Sequence, residues 1–281
     1  MDLAEQVSGP LTLARGLTDL DRLEPLDGYA PRMTEAAARL LDEGVDALEV
    51  TQAVAPDTDV LTSRLRELAQ ARLGTPPYAY AWLALGSHGR GEQVLSSDQD
   101  SALAYGGPRL GPGDPGEYFG RLSKVVVDGL ARAGIPPCTG DYMATTWRYP
   151  LETFTGFFET WVNNPKPSDL LRAEVFLDVR PVHGELDVGR LDDILVAGCR
   201  RGSFLLQMAR ATVTFRPPLV LFGRVHTDHG YLDIKKSGTA AIVLLARLYA
   251  LAAGSNARTT LLRLPVSRTA SKKAHLTNGT E

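Results

Sequence analysis

Two aspartates one residue apart, Asp98 and Asp100, follow a Gly86–Ser87 pair that ends a run of apolar and aromatic residues. In an extended strand residues i and i+2 share a face, so both carboxylates aim at one spot. A small Gly–Ser turn lets backbone N–H groups approach a phosphate closely. Two carboxylates converging beside such a cradle suit a Mg²⁺–nucleoside triphosphate. The plain alternative is a polar hairpin with surface aspartates. Against it, both aspartates precede an apolar strand, where paired carboxylates repel unless a cation sits between them. The segment G-S-H-G-R-G is not a P-loop, since G-x-x-x-x-G-K-[ST] is absent, and its glycine spacing is not that of a dinucleotide fingerprint.

These residues need elements to hold them. Tyr78 to Leu85 reads as a buried strand that delivers the Gly–Ser turn at its carboxyl end. Glu92 to Leu95 is expected to form a short helix, and Asp98 to Tyr105 the next strand. Gly106 to Gly116, rich in glycine and proline, reads as a loop. Tyr118, Phe119, Leu122, Val125, Val126 and Leu130 give a helical stripe stopped by Gly134-Ile-Pro-Pro. Thr139 to Trp147 looks irregular. Phe154, Phe157, Phe158 and Trp161 have core-like helical spacing and end before Pro165. Leu170 to Phe176 is ambiguous, and a strand is expected over Val175–Val179, closed by Pro181-Val-His-Gly.

Upstream, the pattern predicts one helix from an N-cap at Thr34 through Leu41, perturbed near Gly44 and continuing past Leu48. A second starts near Asp57–Asp59 and ends at Gly74 before Thr-Pro-Pro. Residues 1–33 look irregular. From Leu191 the chain reads as helical, with breaks at Pro217–Pro218 and Gly230, and past Leu264 periodicity fades into a tail expected to be disordered. The division expected is 1–75 helical, 76–188 an α/β core, 189–264 helical and 265–281 tail.

Hydrophobic content of 44% and charged content of 22% are ordinary for a globular protein. The net charge of −3 offers no bulk attraction to nucleic acid or to an anionic membrane. Residues 1–60 carry 13 acidic and 4 basic residues, which leaves the remainder at +6. Such a remainder suits a polyphosphate ligand. Two distant cysteines, Cys138 and Cys199, exclude a disulfide framework and a cysteine-based zinc motif. The N-terminus lacks the pattern of a signal peptide. The apolar run Thr239–Ala253 carries Arg247 and is too short to span a bilayer. A cytoplasmic protein without membrane association is expected.

The segment G-S-H-G-R-G-E-Q followed by S-D-Q-D resembles the nucleotidyltransferase superfamily pattern G-S-x-G-R-x-E…S-D-x-D. That pattern belongs to the protein-modifying branch, with the PII uridylyltransferases and the glutamine synthetase adenylyltransferases. C-T-G-D-Y-M-A-T-T-W-R (Cys138 to Arg148), F-L-D-V-R-P-V-H-G (Phe176 to Gly184) and L-D-I-K-K-S-G…A-R-L-Y-A-L (Leu232 to Leu251) are similar to the nucleotidyltransferase module of CBS-domain signal-transduction proteins. The resemblance covers roughly residues 35 to 260.

The resemblance implies an α/β (α+β) fold, a small mixed sheet with flanking helices between helical N- and C-terminal parts. It implies a third carboxylate from a later strand, and Asp178 fits that position; a salt bridge to Arg180 is its plain structural alternative. In the implied mechanism Asp98 and Asp100 hold Mg²⁺ on the triphosphate. Asp178 helps bind a second Mg²⁺ and draws a proton from the attacking hydroxyl. Gly86, Ser87 and Gly89 belong to the phosphate cradle, and Arg90 neutralises the leaving pyrophosphate. Glu92 is expected to hold Arg90. Arg148, after Trp147, is a candidate for bracketing the base.

The expected activity is transfer of a nucleoside monophosphate from an NTP to a hydroxyl, with a protein as a candidate acceptor and signal transduction as the context. The rival is a non-catalytic nucleotide sensor; a scaffold using the Thr239–Ala253 helix is a third reading. His88 falls at a variable position of the pattern and is not expected to be catalytic. His226, Asp228 and His229 read as a solvated loop, and Lys235 and Lys236 as weak nucleotide contacts. Base, acceptor and oligomeric state stay open.

Overall fold

The computed structural model describes residues 26–212, 232 and 234–265 of the 281-residue chain. The expectations for residues 1–25, for the breaks at Pro217–Pro218 and Gly230, for the His226–His229 cluster and for the tail beyond residue 265 lie outside the described residues. The chain divides into two compact units. One holds the residues up to 154 together with 175–188; the other holds 155–174 together with the residues from 189 onward.

The first unit is built on a four-stranded sheet. Strands β1 (Tyr78–Ala84), β2 (Ser101–Arg109), β3 (Arg148–Pro150) and β4 (Arg180–Gly184) lie in the order β3-β2-β1-β4. β1 is antiparallel to both β2 and β4, and β2 is parallel to β3. The mixed α/β architecture is the expected one. Residues 80–85 and 101–104 are buried without interruption, as in a strand covered on both faces.

Two helices expected to be a separate region pack into this same core. Helix α1 (Tyr29–Asp42) starts after Gly28, whose φ of 80° is left-handed. Thr34 is therefore inside the helix, its hydroxyl donating to the Ala30 carbonyl at 3.0 Å, and does not cap it. Asp46 caps α2 (Ala47–Leu73), accepting from Leu48 N–H at 2.8 Å. α2 runs straight through Pro56, where the sequence predicts a boundary. A mid-helix proline costs about 3 kcal/mol. The face formed by Val50, Ala53, Val54, Leu61, Leu65 and Ala69 is buried along the whole helix, which offsets that cost. α2 ends at Gly74, as expected. Leu26, Tyr29, Met33, Leu61 and Leu65 share one core with Trp82, Leu103, Phe119 and Leu122.

The chain next forms the one-turn helix α3 (Gly86–Arg90) and helix α4 (Pro115–Arg132), which packs on α2. α3 replaces the short helix expected at Glu92–Leu95. β2 also extends to Arg109, through glycines the sequence assigns to a loop, because β1 supplies pairing partners as far as Tyr78↔Arg109. Helices α5 (Leu151–Asn163) and α6 (Pro167–Phe176) follow. The strand expected at Val175–Val179 is thus displaced: α6 reaches Phe176, and β4 begins only at Arg180. Pro181 does not end β4; it lies inside it. β4 is an edge strand, where a missing N–H is tolerated.

The second unit contains the greater parts of α5 and α6, then α7 (Gly189–Cys199), α8 (Gly202–Thr212), a π-helical turn Lys235–Thr239 and α9 (Ala240–Ala252). Gly198 lets α7 approach α5 closely, since a Cβ there would overlap Val162. Arg258 and Asp192 form an ion pair at 2.6 Å. Among the described residues no helix is long and apolar enough to cross a membrane.

Asp57 of α2 is 5% exposed, and its Oδ2 has no hydrogen-bond partner among the described residues. Burial pushes its carboxyl up to about 7. The folded chain therefore holds a proton that the unfolded chain releases near pH 4. The associated stability is complete below about pH 4 and is lost as pH rises through about 7. Denaturant melts of Asp57→Asn should show a flatter stability profile between these limits. At pH 8 the variant should be more stable than the native chain by about 1–3 kcal/mol. A variant whose profile parallels the native one would refute this assignment.

Candidate active site

β1 and β2 deliver the predicted residues to one end of the sheet. At the carboxyl end of β1 the chain turns directly into α3, so Gly86 and Ser87 form the first turn of a helix. First-turn N–H groups have no intrahelical acceptor and point outward. Gly86 has φ of 55°, and a Cβ on it would lie 2.8 Å from Asp100 Oδ2. The turn and the carboxylate are thus in close approach, and only glycine leaves the space between them open.

Asp98 and Asp100 precede β2 in extended chain. Gln99 between them points inward and is 3% exposed. Its amide nitrogen donates to the carbonyls of Ile135 at 2.8 Å and Val127 at 3.3 Å. The alternation that sends Gln99 into the core sends both carboxylates to the opposite side. Gln99 Oε1 and Gln93 Oε1 are buried without a hydrogen-bond partner among the described residues, and both residues line a small cavity that also touches Asp100 and His88.

A third residue completes the group. Gln99 forms a parallel bridge with Pro137, and its N–H donates to Pro136 O at 2.9 Å. This register sets Cys138 beside Asp100, and one ligating atom from each of Asp98, Asp100 and Cys138 lies within 4.8 Å of the others. Burial and the neighbouring Asp100 carboxylate push the Cys138 thiol up to about 11. The thiol is therefore protonated at neutral pH. Sequence reasoning treated this cysteine only as one unable to form a disulfide. Its place in C-T-G-D-Y was the available signal, but the Gln99–Pro137 pairing that brings it to the carboxylates joins segments 38 positions apart.

Asp178 lies in the turn between α6 and β4 and is fully buried. It is not part of the Asp98–Asp100–Cys138 group. Its Oδ2 accepts from Arg90 Nη1 at 2.7 Å. Arg90 Nε donates to Glu92 Oε2, also at 2.7 Å, the role expected of Glu92. Burial alone would weaken the Arg90 charge; Asp178 and Glu92 more than offset it and raise its pKa above the ordinary value. Arg180, the alternative partner considered for Asp178, instead grips Asp59 of α2 at 2.8 and 3.1 Å. His88 joins that pair through Nε2, 2.6 Å from Asp59 Oδ1. Burial favours a neutral Asp59, but hydrogen bonds from His88 and Arg180 prevail and hold its carboxyl below the usual range. His88 is thereby a buried strut between α3, α2 and β4.

Gly89 serves packing. Its N–H donates to Leu85 O at 2.9 Å. A Cβ on it would lie 1.9 Å from Asp178 O and 2.9 Å from Ala84 O. Arg148 and Trp147 have separate surroundings. Trp147 packs against Tyr142 and Phe176, with ring centroids 6.1 and 4.6 Å away. The Arg148 guanidinium lies near Gly120 of α4 and donates to Thr145 O. The two side chains do not form the bracket the sequence suggests. Lys235 begins the π-helical turn in the second unit, and the side chain of Lys236 is outside the described residues.

The donor set can be tested against a divalent cation. Two carboxylates that share a face, with an opening kept by Gly86, match the oxygen donors that a hard ion such as Mg²⁺ takes. Comparison with known families gives two matches. The family model described as "Putative nucleotidyltransferase DUF294" matches residues 31–168. That described as "Putative nucleotidyltransferase substrate binding domain" matches residues 202–278. No curated protein matches the chain.

Proposed function

Because the chain belongs to the DUF294 nucleotidyltransferase family, we propose that it transfers a nucleoside monophosphate from an NTP to a hydroxyl carried by a protein acceptor. The observation that carries this reading is the convergence of Asp98 and Asp100 on the opening beside Gly86. Asp98 and Asp100 would hold Mg²⁺, which when bound neutralises triphosphate charge and activates the α-phosphorus. The N–H groups of Gly86 and Ser87 donate to the outer phosphate oxygens. Arg90 faces the leaving pyrophosphate, held in orientation by Glu92 and Asp178. The acceptor hydroxyl attacks the α-phosphorus in line and the bond to pyrophosphate breaks. Asp178, as the third carboxylate, takes the hydroxyl proton once Arg90 has moved onto the phosphates. Gly89 shapes the turn, and Arg148 is assigned to the nucleotide's surroundings.

One observation favours the sensor reading. Asp178 is fully buried against Arg90, so the group that would accept the proton is engaged in an ion pair. Incubation with each labelled NTP and Mg²⁺, followed for pyrophosphate and for labelled protein, tests the two readings. Pyrophosphate formation with label transfer supports the transferase. Calorimetric NTP binding without turnover supports the sensor, and absence of both overturns each.

A further inference from the structure

Cys138 has no part in the reaction just described, yet it sits in the same group as the two metal-binding carboxylates. Donor atoms of Asp98, Asp100 and Cys138 lie within 4.8 Å of one another. Around a tetrahedral ion with one sulfur and two oxygen ligands, donors are about 3.3–3.8 Å apart. Closing the set therefore needs side-chain shifts of about 1 Å, with no change in the Gln99–Pro137 bridge that fixes the register. Mg²⁺ takes oxygen donors and has no use for the sulfur. Softer divalent ions take both donor types, and sulfur raises their preference for a site. The family match independently makes the carboxylate pair a cation site.

The geometry points to a second metal state of this site: a thiophilic divalent ion of the Zn²⁺ or Co²⁺ kind, held by Asp98, Asp100 and Cys138 in competition with Mg²⁺. The inference rests on the reading that Asp98 and Asp100 bind a divalent ion. On binding, the Cys138 S–H proton passes to solvent and the sulfur lone pair forms the bond to the ion. Three protein ligands leave a tetrahedral ion one open position, too few to chelate a triphosphate through several oxygens. The soft ion therefore blocks the site that the hard ion opens.

Cobalt titration of the full chain tests this without relying on activity. Co²⁺ should produce a thiolate-to-cobalt charge-transfer absorption that saturates at one equivalent and fades as Mg²⁺ is raised. Because the chain has only two cysteines, persistence of the band in Cys199→Ser assigns it to Cys138. Cys138→Ser should lose the band and bind Co²⁺ at least about tenfold more weakly. Asp100→Asn should lose both band and binding. Calorimetric cobalt binding that depends on Asp98 and Asp100 but gives no band would overturn the sulfur ligand and leave the proposed function standing. Failure of the native chain to bind either Co²⁺ or Mg²⁺, with or without NTP, would remove both.

Discussion

Asp100→Asn should cut Mg²⁺-dependent pyrophosphate release by about a thousandfold or more, equivalent to roughly 4 kcal/mol of lost transition-state stabilisation. The amide keeps the size of the carboxylate but loses the charge that holds the cation. The same substitution should leave the fold intact or slightly more stable, because it relieves repulsion between Asp98 and Asp100. That combination distinguishes a functional carboxylate from a structural one. Parallel measurement of turnover and of the denaturation midpoint decides it. Near-native turnover in Asp100→Asn would remove the central premise of the transferase reading.

Asp178→Asn should have the opposite profile, with a large effect on the fold itself. The Asp178 side chain is 0% exposed and that of Arg90 is 12% exposed, so the substitution strands a guanidinium in the interior. Removing one partner of a buried ion pair costs about 3–5 kcal/mol. The penalty should appear as a lower denaturant midpoint with an unchanged slope. The double variant Arg90→Gln, Asp178→Asn should be less impaired than the sum of the two single variants, since it leaves no uncompensated charge. Additive losses would mean that the two side chains stabilise the fold independently, despite the 2.7 Å separation.

Much of the site was legible because its parts are local. The alternation Asp98–Gln99–Asp100 and the Gly86 turn depend on short-range geometry, and both take the expected form relative to each other. The third carboxylate was less legible. Asp178 could be recognised from its motif, but its partner is decided by how α3 packs against the turn before β4. The sequence offered Arg180, two residues away, whereas the fold uses Arg90, 88 positions away. Cys138 escaped for the same reason, since its neighbours are set by a long-range parallel bridge. The N-terminal helices show the limit of local rules. Pro56 and Thr34 carry boundary signals that burial of a continuous apolar face overrides.

The bridge at Gln99 also has a kinetic consequence. Gln99, Ser101 and Leu103 donate in turn to Pro136, Tyr142 and Trp147 at 2.8–2.9 Å. One strip of chain, residues 136–147, therefore closes the far edge of β2 and carries the sulfur of the site. Fraying of that strip would free these amides for solvent exchange and withdraw Cys138 from Asp100 in the same event. The lifetime of the assembled three-donor set is thus tied to the opening rate of one short seam, well below the stability of the sheet that supports it.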